Sequence, residues 1–126
     1  MKQISAGSMR SAGRWVQITA LAHGTIGAVL YRDVLAETVR AGVGSVPERG
    51  DRAAAFWFMA ATPALWLGGR LLRSAEENGD VPAQRAAGTV LTGIGAVGAA
   101  AMPTSGFWAL AGIGGVVLRR TLRRTG

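Results

Sequence analysis

Charged side chains in this chain are gathered into short stretches, and long charge-free blocks separate them. The longest block, residues 86–118, has 33 residues without a charge and is broken only by Pro103-Thr104-Ser105-Gly106. Two further blocks, residues 15–31 and 53–69, have 17 residues each and arginines on both sides. Polar and apolar residues do not alternate with a helical period inside these blocks, so helices formed from them would have no water-facing side.

The block lengths predict transmembrane helices. Seventeen residues of helix rise about 25 Å, close to a hydrocarbon core of roughly 30 Å. The long block would be about 50 Å as one helix, so we expect a turn at Pro103, which lacks an N–H, with Thr104 or Ser105 capping the next helix. The expected fold class is all-α, a four-transmembrane-helix bundle. It would form a single integral membrane domain over residues 1–126, with spans at about 15–31, 53–72, 86–102 and 106–119.

The segments between the blocks predict one further short helix and several helix ends. A short interfacial helix is expected in the first loop, because four residues share one helical face: Val34, Leu35, Thr38 and Val39. Asp51 is placed to cap the second long helix, which should continue through Glu77 and stop at Asn78-Gly79. Asp80-Val81-Pro82 should then begin the third.

The net charge is compatible with two kinds of partner, nucleic acid and a lipid bilayer. A net charge of +7 would suggest nucleic acid in a soluble protein, but the arginines flank apolar blocks, so bilayer anchoring is preferred and no nucleic acid is expected. Four spans place the termini and the second loop on one side, with ten Lys or Arg residues against four on the other. This count predicts a multi-pass protein of the bacterial inner membrane with both termini cytoplasmic.

A cleaved signal peptide is the alternative reading of the first block. Lys2, Arg10 and Arg14 precede it, and Val34-Leu35-Ala36 could pass as a cleavage site. Arg32 and Asp33 lie between the block and that site, and a usual signal core has about 7 to 15 apolar residues. A transmembrane span is therefore preferred.

His23 is the single histidine of the chain and falls in the middle of the first block. A titratable group at that depth is a functional candidate, and a neutral imidazole that bonds a neighbouring helix is an equally good alternative. Pro63 leaves the Met59 carbonyl without its helical donor, and Thr19, Thr62 and Thr92 are further candidate partners. We therefore expect His23 to bridge the first and second long helices beside Pro63.

Aromatic residues and small residues are placed regularly. Most of the aromatics fall at block ends, which is typical of an interfacial belt, and a ligand pocket is the alternative. Small residues recur at every fourth position and would allow close helix approach or a homo-oligomer. They are Ala20, Gly24 and Ala28, then Gly88, Thr92, Ala96 and Ala100, then Ala111 and Gly115.

Two segments carry a family resemblance. Asp51-Arg52-Ala53-Ala54-Ala55-Phe56-Trp57-Phe58 and Pro103-Thr104-Ser105-Gly106-Phe107-Trp108 resemble a family of small bacterial four-helix membrane proteins that is catalogued only as a domain of unknown function. The likeness covers nearly the whole chain and includes a histidine in the first span. It implies a membrane bundle and supplies no activity, substrate or catalytic residue.

The absent residue types narrow the expected chemistry. The chain has no cysteine and one histidine, so no metal site, cofactor or catalytic residue is expected. The first hypothesis is a non-enzymatic structural or accessory component of the membrane. The second is a binder or carrier of a small apolar or lipid-like ligand in a pocket under the outer loop. That pocket would be lined by His23, Phe56, Trp57, Phe107 and Trp108. A membrane enzyme ranks third.

Overall fold

The computed structural model describes residues 10–125, and within that range the chain forms five α-helices and no β-strand. The helices are α1 (Ala12–Leu30), α2 (Arg32–Ala41), α3 (Asp51–Glu77), α4 (Val81–Ala101) and α5 (Phe107–Thr125). The predicted all-α class is confirmed. Residues 1–9 lie outside the described range. They include Lys2 and form the start of the predicted single domain.

The prediction of four transmembrane helices is wrong. In the described part of the chain, no helix combines the length and the hydrophobicity needed to cross a membrane. The physical reason is that a charge-free block is not necessarily an apolar one. Inside its block, α1 contains Gln17 and His23 together with several threonines and glycines. α5 also continues past the end of its block into arginines. The predicted four-helix membrane bundle and the predicted multi-pass location in the bacterial inner membrane, with both termini cytoplasmic, are contradicted by the same finding.

The four long helices pack as two close pairs, α1 with α3 and α4 with α5. Glycines make the close approach possible in both. In the first pair, a Cβ added to Gly69 would lie 2.7 Å from the carbonyl oxygen of Gly13, so the two backbones touch. In the second pair, a Cβ on Gly95 would lie 2.6 Å from the Cα of Ala111. Any side chain at these positions would force the helices apart.

The residues in contact follow a different spacing from the predicted fourfold stripes. On α1, contacts or burial occur at Gly13, Gln17, Ala20, Gly24 and Gly27, which alternates steps of four and three. Four residues turn a helix by about 400°, so a strict fourfold series rotates off the contact face, whereas an average step of 3.5 stays on it. The role of the stripes in a homo-oligomer stays a prediction. Within the described fold the stripes mark buried or close-contact positions at Ala20, Gly24 and Gly88, but not at three exposed alanines. These are Ala28, Ala96 and Ala100.

Most predicted helix ends are confirmed. α3 runs to Glu77 and is followed by Gly79 at φ 67°, and the Asp80 carboxylate accepts a hydrogen bond from Ala83 N at 3.0 Å at the start of α4. Ser105 Oγ accepts from Phe107 N at 3.4 Å at the start of α5. Asp51 was expected to cap α3, but Gly50 occupies the cap position and Asp51 lies in the first turn, where its charge still favours the helix dipole.

The predicted helix of the first loop is present as α2, which packs against α3 and α1. Val34, Leu35 and Thr38 are half-buried, whereas Val39 is exposed. Glu37 on α2 pairs with Arg52 at 3.9 Å.

The core is small, and large apolar side chains lie mostly outside it. Among residues 10–124, nine hydrophobic residues are buried, and six of these are alanines; the larger three are Val16, Leu72 and Val117. Twenty large hydrophobic side chains are exposed within the same range. The described fold therefore exposes more of its large apolar side chains than it buries.

Candidate functional site

His23 bridges α1 and α3, as the sequence predicted. Its Nε2 lies 2.8 Å from the carbonyl oxygen of Phe58, and its ring stacks on the Phe58 ring with the centroids 3.8 Å apart. The acceptor is one residue before Met59, which was the predicted partner. Gly27 gives the space for this contact, because a Cβ there would lie 2.6 Å from the Phe58 ring.

The bond to His23 leaves a neighbouring hydroxyl unsatisfied. A threonine in a helix commonly donates to the carbonyl four residues earlier, and Thr19 does so to Trp15 at 2.8 Å. For Thr62 that carbonyl is Phe58 O, which His23 contacts instead. Thr62 Oγ1 is buried and has no hydrogen-bond partner in the structure. The arrangement holds two helices together through one ring nitrogen of His23.

The five predicted pocket residues are distributed over both helix pairs. Phe56 and Trp57 lie on α3, are exposed, and contact each other edge to face with centroids 5.5 Å apart. Phe107 packs against Gly98 within the α4–α5 pair. Trp108 is 61% exposed and donates from Nε1 to the Pro103 carbonyl at 2.8 Å. Among the aromatic rings of residues 10–125, no contact joins His23 or Phe56 to Phe107 or Trp108.

A polar cluster around Glu76 was missed by the sequence analysis. Its carboxylate accepts from Ser11 Oγ at 2.9 Å, Ala12 N at 3.0 Å and Gly13 N at 2.8 Å. It therefore satisfies the free N–H groups at the start of α1, where a negative charge also favours the helix dipole. Arg120 of α5 lies 4.0 Å away and completes an ion pair. Nothing in the spacing of Ser11 and Glu76, 65 residues apart, could have indicated this contact.

A basic groove on the α1–α3 pair is the second feature that sequence reasoning did not find. It has a volume of about 330 Å³, and its lining includes Arg14, Arg70 and Arg73 at one end with Trp66 and Leu21 further along. The sequence pattern predicts a role as membrane anchors for these arginines. Only the fold shows that they meet, because the Gly13–Gly69 contact brings their two helices together at this level.

A second groove lies on the α4–α5 pair and is almost wholly apolar. It has a volume of about 440 Å³ and is lined by Gly93, Ile94, Val97, Gly98 and Phe107. In the part of the chain described by the structure, no three His, Cys, Asp or Glu side chains are grouped to hold a metal ion. The grooves and the His23 contact are therefore the features from which a function can be argued.

Comparison with known proteins identifies a family without an assigned activity. No curated protein and no solved structure matches the chain. A family model described as a family of unknown function matches residues 7–124, nearly the full length, and so confirms that part of the resemblance seen in the sequence. The chain therefore belongs to the family of unknown function DUF6463.

Proposed function

We propose that this protein is a non-enzymatic accessory or structural protein that self-associates through the apolar face of α4. The observation that supports the proposal is the excess of exposed apolar side chains over buried ones. At roughly 100 Å² each, the twenty exposed large hydrophobic residues present on the order of 2,000 Å² of apolar surface. A stable interface needs about 800 Å² from each partner, so there is ample surface for one.

The proposed contact face runs along α4. Val90, Ile94 and Val97 are 58%, 48% and 72% exposed, and their spacing of four and three residues keeps them on one side of the helix. Gly93 lies beside them, and a Cβ added to it would meet nothing within 4 Å outside its own helix backbone. The apolar groove of about 440 Å³ includes Ile94, Val97 and Gly93, so this face is both apolar and concave.

The proposed occupant is a second copy of the chain. Residues 86–118 carry no charge, so a partner at this level must also be free of unpaired charges. The part of α4 that follows Arg85 meets that requirement. Two copies related by a twofold axis would place the same apolar face on both sides and bring two Gly93 backbones close together.

Val97→Asp tests the proposal, and Val43→Asp is its matched control. Val43 lies in the loop after α2, is 109% exposed, and offers the same change of residue away from the proposed face. Two facing carboxylates at Val97 should weaken the dimer by roughly 100-fold, because like charges placed opposite each other cost several kcal/mol. Sedimentation equilibrium over a concentration series measures the dissociation constant, and circular dichroism checks that both variants fold.

A cysteine variant gives a second, geometric test, because the chain has no cysteine of its own. Val97→Cys should form disulfide-linked dimers under mild oxidation in dilute solution, whereas Val43→Cys should not. A wild-type chain that stays monomeric at every concentration, or a Val97→Asp variant that dimerises like Val43→Asp, would overturn the proposal.

A pocket for a small apolar ligand stays a prediction. It requires His23 to share a cavity with Phe107 and Trp108, and these residues lie on different helix pairs. Tryptophan fluorescence across a panel of lipids and quinones tests it, and a flat response would count against it.

A further inference from the structure

The basic groove on the α1–α3 pair has a charged end and an apolar end. Arg14, Ile18 and Leu21 follow one another along α1, and Arg70 and Trp66 run alongside them on the antiparallel α3. Seven residues of helix separate Arg14 from Leu21, so the groove extends about 10 Å along the helices. Ile18, Leu21 and Trp66 lie along its apolar part and are 43%, 62% and 43% exposed.

Two of the three guanidinium groups have no acidic partner among residues 10–125, and the third, that of Arg73, is paired with one carboxylate. Arg73 donates to Gln17 Oε1 at 3.3 Å and lies 3.7 Å from the Glu77 carboxylate, which holds its side chain in place. The side chains of Arg14 and Arg70 have no hydrogen bond or ion pair within residues 10–125. One carboxylate therefore faces three cations, and the groove carries a net positive charge.

We infer that this groove binds a single-chain anionic amphiphile, with a carboxylate or phosphate head group at Arg14 and Arg70 and an apolar chain along Ile18, Leu21 and Trp66. Guanidinium groups bind carboxylate and phosphate through paired hydrogen bonds, and Arg73, held in place by Gln17 and Glu77, borders the same end of the groove. The groove volume is at the lower end of the range for small-molecule sites. The inference is independent of the proposed α4 interface, because the groove lies on the other helix pair.

Calorimetric titrations of the full chain with dodecanoate and with dodecyl phosphate, each below its micelle-forming concentration, test the inference. Both should bind, and the tighter of the two identifies the preferred head group. Dodecyltrimethylammonium keeps the chain and reverses the charge, so it should show no binding. Inorganic phosphate lacks the chain and should bind at least about tenfold more weakly, because the apolar wall contributes nothing to it.

Arg70→Gln and Arg14→Gln should each weaken dodecanoate binding roughly tenfold through the loss of a charge-assisted bond. Arg40→Gln on α2 is the matched control, since it removes the same charge from an exposed helical site away from the groove and should leave binding unchanged. Binding of dodecanoate should also change the fluorescence of Trp66, which lines the groove. Trp66→Phe should remove this change in fluorescence while keeping most of the affinity. Equal binding of the cationic amphiphile, or equal loss in Arg40→Gln and Arg70→Gln, would overturn the inference.

Discussion

Two adjacent glycines of α3, Gly68 and Gly69, should respond in opposite directions to the same substitution. Both lie inside the helix, where alanine is favoured over glycine by about 0.8–1.0 kcal/mol. A Cβ on Gly68 would meet nothing within 4 Å. A Cβ on Gly69 would lie 2.7 Å from Gly13 O and 2.8 Å from Gln17 N, and both of these are backbone atoms of α1.

The magnitudes follow from these distances. Gly68→Ala gains the helix term alone and should raise the free energy of unfolding by about 1 kcal/mol. Gly69→Ala gains the same term but forces α1 and α3 apart, and overpacking of this kind costs about 1–3 kcal/mol or more. The movement also loosens the neighbouring core contacts of Val16 and Leu72. We therefore expect Gly69→Ala to be destabilised, because backbone atoms of two helices must separate, and the two variants should differ by about 1–3 kcal/mol or more.

Thermal unfolding followed by circular dichroism separates the two variants. For a chain of this length, 1 kcal/mol corresponds to a shift of about 3–5 °C in Tm. Gly68→Ala should melt above the wild type and Gly69→Ala clearly below it. If both variants melt higher, the α1–α3 contact at Gly13 and Gly69 is looser than the structure has it, and the argument from glycine packing fails.

Three further substitutions test the polar contacts, each by urea unfolding. Glu76→Ala should lower the free energy of unfolding by about 3 kcal/mol through the loss of charge-assisted bonds to α1, whereas Glu77→Ala, in an exposed pair, should change it by less than about 1 kcal/mol. Equal effects would refute the role of Glu76. His23→Leu should cost about 1–2 kcal/mol, and an unchanged stability would contradict the bridge to Phe58. Thr62→Val should leave the free energy of unfolding unchanged or raise it, because it removes a buried hydroxyl that has no hydrogen-bond partner. A decrease of more than about 1 kcal/mol would show that this hydroxyl does have a partner.

The helices could be predicted from the sequence, but their surroundings could not. Helix ends depend on local chemistry, so Asp80, Ser105 and Gly79 marked them correctly. The absence of charge in residues 86–118 was interpreted as evidence for a bilayer, although glycine and alanine supply much of that block and add little hydrophobicity. A count of charges shows only that a segment lacks charged side chains. Crossing a membrane also depends on how much apolar side chain it contains.

The candidate sites depend on contacts between residues far apart in the sequence. Only some of these contacts could be predicted from it. The partner helix of His23 could be inferred because Pro63 marked a disturbed stretch of α3, although the acceptor proved to be Phe58. The carboxylate of Glu76 and the convergence of Arg14 with Arg70 have no local signature. They exist because α1 and α3 are antiparallel and in one particular register. A single sequence does not specify that register through its spacing alone.

Two independent contacts fix the register of the first helix pair. Gly13 and Gly69 must face each other for the backbones to touch, and a slide of one helical turn would place Leu65 or Arg73 where Gly69 now lies. The same slide would withdraw the Glu76 carboxylate from the N–H groups of Ala12 and Gly13 and leave them unsatisfied. Steric fit and hydrogen bonding therefore favour the same arrangement. Agreement between separate interactions of this kind lets a chain with a core made mainly of alanine adopt one packing rather than several.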